Sequence, residues 1–129
     1  MIRATDQLVF LYTDDLPRAA TFYGQVLGLP LAMDQGSCKL FRTSPGAILG
    51  VCDLAHRERG TKGITVSFLV EDVDAAYAAL VAKGVAFEGP PRTAMSGQVR
   101  GAFFRDPDGY RLEIQSFTDP GWDRSRAAD

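Results

Sequence analysis

The sequence predicts an α+β chain built from two tandem β-α-β-β-β modules, and three observations carry that reading. Placing Asp15 on Asp72 gives an internal offset of 57 residues that superposes two strand–helix beginnings. Each beginning is a β-rich run, an acidic residue, and an apolar stripe at helical spacing that ends at a glycine. Three further short runs of strand character follow each helix, separated by turns rich in Gly, Pro and Asp.

The first module covers about residues 7–54. Leu8 to Tyr12 is a short apolar and aromatic run, expected to be a strand buried on both faces. Asp14-Asp15-Leu16-Pro17 opens a helix, since either Asp can cap it and Pro17 loses nothing in a first turn. Leu16, Ala19, Ala20, Tyr23, Val26 and Leu27 form its apolar stripe, and Gly28 is a natural stop. Strands are expected near Leu29–Met33, Ser37–Thr43 and Ala47–Cys52, with Asp34-Gln35-Gly36 and Ser44-Pro45-Gly46 as turns. A charged, glycine-containing connector, 55–63, carries His56, the chain's one histidine, read as a surface imidazole.

The second module spans about 64–117. Ile64 to Val70 is its first strand, and Glu71-Asp72 its acidic cap. Val73, Ala76, Tyr77, Leu80 and Val81 form its helical stripe, ended by Gly84. Strands are expected near Val85–Glu88, Val99–Arg105 and Tyr110–Phe117. Asp106-Pro107-Asp108-Gly109 joins the last two: Pro107 pre-sets φ, the Asp side chains bond nearby N–H groups, and Gly109 accepts positive φ. A polar tail, 118–129, contains Trp122, read as a packing residue.

Composition bounds the rest. With 129 residues, a net charge of −2 and 46% hydrophobic residues, the chain suits a single globular domain. No basic stripe interleaved with aromatics appears, so no nucleic-acid partner is expected. The start lacks a signal-peptide core and no apolar run is long enough to span a bilayer, so a cytoplasmic protein without a membrane partner is expected. Cys38 and Cys52, without CxxC spacing, read as free thiols of a reducing compartment.

Period-two alternation assigns faces. Val9 and Leu11 belong under the first helix, leaving Leu8, Phe10 and Tyr12 opposite. Val66, Phe68 and Val70 belong under the second, leaving Thr65, Ser67 and Leu69 opposite. On the last strand Leu112 and Ile114 face one way, while Arg111, Glu113 and Gln115 face the other. Gly50 and Cys52 share the opposite face in the first module, and Arg100 on the neighbouring strand is expected to reach toward Glu113. Two such faces would line a cleft with aromatic, hydroxyl and carboxyl groups, a mix that suits a small organic ligand.

With these modules, Leu16-Pro17-Arg18-Ala19-Ala20-Thr21-Phe22-Tyr23 before Leu27-Gly28, and Phe104-Arg105-Asp106-Pro107-Asp108-Gly109-Tyr110-Arg111-Leu112-Glu113, the chain resembles the vicinal oxygen chelate superfamily. That group includes glyoxalase I, extradiol dioxygenases, fosfomycin resistance enzymes and bleomycin resistance proteins. The resemblance implies a U-shaped mixed sheet around a cleft and a homodimer. It also implies a divalent metal held from up to four positions, which fall here on Leu8, Thr65, Gly50 and Glu113. Of these only Glu113 is a suitable donor, and a catalytic divalent ion takes about three protein ligands. A register slip placing Gln7 at the first position would turn Val9 and Leu11 off the helix. The expectation is therefore a metal-free, small-molecule-binding protein of the bleomycin resistance type, acting by sequestration or transport. The alternative is a metal-dependent lyase, isomerase or dioxygenase with an atypical site around Glu113, or one using Glu113 as a metal-free base.

Overall fold

Helix caps and alternating strands produce the same plan twice. In the computed structural model, which describes residues 1–55, 57–58, 60–94 and 96–118, the first module runs β1 (Gln7–Tyr12), α1 (Leu16–Thr21), β2 (Leu31–Asp34), β3 (Cys38–Ser44) and β4 (Ala47–Cys52). The second runs β5 (Thr65–Leu69), α2 (Val73–Ala82), β6 (Arg92–Ala94), β7 (Val99–Arg105) and β8 (Arg111–Phe117). Each forms a four-stranded mixed sheet, ordered β1-β4-β3-β2 and β5-β8-β7-β6. The first strand of each module pairs in parallel with its last. His56, Trp122 and 119–129 lie outside the described residues.

The chain divides into two compact units, Met1–Ile64 with Arg105–Tyr110, and Thr65–Phe104 with the described residues from Arg111. In the first unit, Asp15 caps α1 by accepting from Arg18 N at 3.0 Å. The helix then widens into a π-helical turn, Phe22–Val26, in which Leu27 N donates to Phe22 O. Tyr23 and Ala19 are fully buried, Phe41, Leu49 and Val51 are buried in the same unit, and the Tyr23 and Phe41 rings lie 6.3 Å apart. Within the turn, Gly24 lies so close to the Phe41 ring that an added Cβ would stand 3.1 Å from it.

The Asp-Pro-Asp-Gly turn packs into this first unit, although its flanking strands belong to the second. Asp106 Oδ1 accepts from Asp108 N and Tyr110 N, and Oδ2 accepts from the Tyr23 hydroxyl at 2.8 Å. Arg18 pairs with Asp108 at 2.9 Å, and Tyr12 N donates to the Tyr110 hydroxyl. Burial raises the Asp106 carboxyl above its ordinary pKa, while the hydrogen bonds from Tyr23 and the turn N–H groups pull it down. Burial, then the Asp106 charge, raises Tyr23 as well.

The second unit repeats the cap, with Asp72 accepting from Ala75 N at 3.0 Å. Its core gathers Val73, Ala102, Phe104, Leu112 and Ile114. Phe87 stacks between Tyr77 and Phe104, with centroids 4.6 and 4.9 Å away.

Three expectations are corrected. Val85–Glu88 is no strand; among the described residues it makes one isolated bridge, Phe87 to Phe104, and the chain forms β6 only after Pro90-Pro91. Proline supplies no N–H for a sheet ladder, so pairing resumes beyond it. Cys38 and Cys52 are not free thiols but a disulfide, because the β3–β4 register sets them directly opposite with Cα atoms 4.1 Å apart. That pairing removes the support that free thiols lent to a reducing compartment. Finally, β1 is not buried on both faces: Leu8, Val9 and Phe10 are each about two-fifths exposed. Among the described residues it is an edge strand, paired with β4 on one side alone.

Candidate functional site

Strand register fixes which residues are equivalent between modules. Phe10 lies opposite Gly50 in the first sheet, and Ser67 lies opposite Glu113 in the second. The 57-residue offset carries Phe10 onto Ser67, so Gly50 and Glu113 occupy matching places, as the alternation required.

In the first unit that place is filled. A Cβ at Gly50 would come within 2.8 Å of the Phe10 ring and 2.9 Å of Leu40. Phe10 and Leu40 close over the bare backbone and leave no room for a longer side chain. Cys52 shares this face and is buried in the disulfide. Tyr12 is half-buried, and Leu8 is exposed.

In the second unit the matching place is open. A cavity of about 660 Å³ is lined by Glu88, Pro90, Arg92, Val99, Phe103 and Glu113, with Arg111, Gln115 and small residues between them. Gly101 sits in the middle of β7 and creates the space: an added Cβ would stand 3.1 Å from Glu113 Oε2 and 3.3 Å from Gln115 Cβ. Glu113 Oε1 accepts from Gln115 Nε2 at 2.9 Å, and the same amide donates to Ser67 Oγ at 2.5 Å. Thus Ser67 and Gln115 hold the carboxylate in place. Thr65 is exposed on the edge strand.

The arginines divide differently from expectation. Arg111 does line the cavity, but its guanidinium is forked onto Glu88 at 3.2 and 3.3 Å and lies 3.8 Å above the Phe103 ring. Arg100 does not reach Glu113. It alternates onto the helix side of β7, where it clasps Asp74 of α2 at 2.7 and 2.8 Å and donates to Thr93. Asp74 is accordingly held below its ordinary pKa by the Arg100 hydrogen bond. Arg92 and Glu88, which the sequence reading passed over, stand in the cavity lining instead. The signal for them was Gly101, because a glycine inside a strand marks a close approach or an opening.

The four carried-over positions do not fit a divalent metal. Leu8 and Gly50 offer no donor, Phe10 and Leu40 fill the space at Gly50, and a neutral Thr65 hydroxyl is a poor ligand. Among the described residues, no three His, Cys, Asp or Glu side chains are grouped to hold an ion. No helix among them is long and apolar enough to cross a membrane.

Comparisons with known proteins bear on the fold and the family. The uncharacterized protein YraH of Bacillus subtilis is 32% identical over 117 residues, covering 81% of this chain and 91% of that protein. The crystal structure of a glyoxalase/bleomycin resistance protein/dioxygenase from Nocardioides is 26% identical, with a TM-score of 0.75 over 94% of this chain and 88% of its own. A lactoylglutathione lyase from Agrobacterium tumefaciens shares the fold at 21% identity, with a TM-score of 0.75 over 95% of this chain and 100% of that one. A family model matches residues 5–114, and on that match the chain belongs to the Glyoxalase/Bleomycin resistance protein/Dioxygenase superfamily.

Proposed function

We propose that this member of the superfamily binds a small organic molecule in the second unit's cavity and acts by sequestration or transport, with no metal and no bond broken. The observation that supports it is the contrast between the two matching places. One is closed by Phe10 and Leu40, and the other presents the Glu113 carboxylate, braced by Gln115, over open space. A volume of about 660 Å³ is within the range of small-molecule sites. The test is metal analysis and native mass spectrometry of protein purified without chelators. A co-purified organic mass and no stoichiometric metal are expected. Near-stoichiometric zinc, nickel, manganese or iron that vanishes on Glu113→Ala would overturn the reading.

A lyase, isomerase or dioxygenase with an atypical site around Glu113 is the second reading. One observation favours it: Glu113 Oε2 faces Gly101 with no hydrogen-bond donor among the described residues, a geometry open to a proton acceptor. Turnover of any co-purified molecule that is lost in Glu113→Gln, with binding retained, would select this reading over the first.

A further inference from the structure

Opposite charges that share a cavity ordinarily pair with each other. Here they do not. Arg92 on β6 is set opposite Gly101 on β7, and Gly101 in turn abuts Glu113 Oε2 and Gln115 on β8. A cation and a carboxylate therefore flank one bare glycine, two strand spacings apart, or about 9–10 Å between backbones. Both line the same cavity, yet neither is bonded to the other. The remaining charges are already used: Arg111 is forked onto Glu88 and lies flat on Phe103. Val99, Pro90 and Phe103 supply apolar walls around the strip.

We infer that this cavity takes an amphoteric small molecule, lying across Gly101 with an anionic group on Arg92 and a cationic or hydrogen-bond-donating group on Glu113. A guanidinium presents a planar fork that matches a carboxylate or phosphate. Glu113 can only accept, so its partner must donate; the Gln115 amide already occupies Oε1, which leaves Oε2 for the ligand. Gly101 lets the body of the molecule reach the backbone, and any side chain there would occupy the path. The inference rests on the proposed binding role and narrows its ligand class.

The test uses three probes followed by amide chemical shifts: 4-(aminomethyl)benzoate, which carries both charges on a rigid ring, and its halves, benzoate and benzylamine. The two-charge probe should shift Arg92, Gly101 and Glu113 amides and bind about tenfold or more tightly than either half, the expected value of one added charged hydrogen bond. Arg92→Gln should reduce its affinity to that of benzylamine, and Glu113→Gln to that of benzoate. If a half binds in the cavity as tightly as the whole, the amphoteric assignment is overturned while the cavity remains a binding site. If no probe shifts these amides, the assignment is again overturned. Only the additional absence of any co-purified molecule by native mass spectrometry would then take the binding role with it.

Discussion

Asp106 shows how one side chain can be more informative in the structure than in its motif. The sequence assigns it to a turn, and it does make that turn; its second oxygen also receives the hydroxyl of fully buried Tyr23. Asp106→Ala leaves three donors without an acceptor and is expected to destabilise by about 2–4 kcal/mol, whereas Asp106→Asn keeps the two backbone bonds and should lose about 1 kcal/mol. Urea unfolding of both variants checks the ordering. The pH dependence has a definite sign. Burial raises the folded-state pKa above the unfolded value, so the native state holds this proton more tightly. Its contribution is greatest below the unfolded pKa and declines as pH rises through the folded one. Relative to Asp106→Asn, wild type should therefore lose stability as pH rises through the carboxylate range. The opposite slope would mean that hydrogen bonding from Tyr23 and the turn outweighs burial.

At the scale of elements, what was legible had a local physical cause. Asp15 and Asp72 cap their helices as read, and Ala47–Cys52 and Val99–Arg105 form strands with the expected ends. Alternation placed Arg111, Glu113 and Gln115 on one face of β8 because Leu112 and Ile114 are unambiguously apolar. It gave no such guidance on β7, where Phe103 and Phe104 are adjacent and both faces look apolar, and Arg100 was aimed at the wrong side. Arg92–Ala94 was missed because a three-residue polar strand after two prolines has no periodicity to read. The disulfide does have a sequence signal: Cys38 and Cys52 lie equally far from Pro45, so a hairpin turning there must oppose them. With its ends 14 positions apart in the sequence, that bridge is expected to contribute about 2–4 kcal/mol by restricting the unfolded chain. Thermal unfolding with and without dithiothreitol measures it, and an unchanged midpoint in protein verified as reduced would show that the strands alone hold this hairpin.

For the whole molecule, the pertinent feature is the edge of the first sheet, which no strand among the described residues covers. Among the described residues, strand β1 pairs with β4 on one side only, and its Leu8, Val9 and Phe10 are each about two-fifths exposed. Natural edge strands are blunted by lysines, prolines, bulges or covering segments, and Gln7 to Tyr12 contains no charged residue and no proline. An uncharged apolar edge is a template for a second chain, and its association would bury Phe10 without disturbing the contact that Phe10 makes over Gly50. We expect a homodimer at micromolar concentration, with a total interface on the order of 2,000 Å² or more if it is obligate. Val9→Lys places a charge on the edge and leaves the Phe10–Gly50–Leu40 contact in place, so it should shift sedimentation toward the monomer while far-ultraviolet circular dichroism stays unchanged. A wild-type monomer at that concentration would refute the dimer. A dimer indifferent to Val9→Lys would move the interface away from β1, with the exposed Leu31 and Met33 of β2 the next surface to charge.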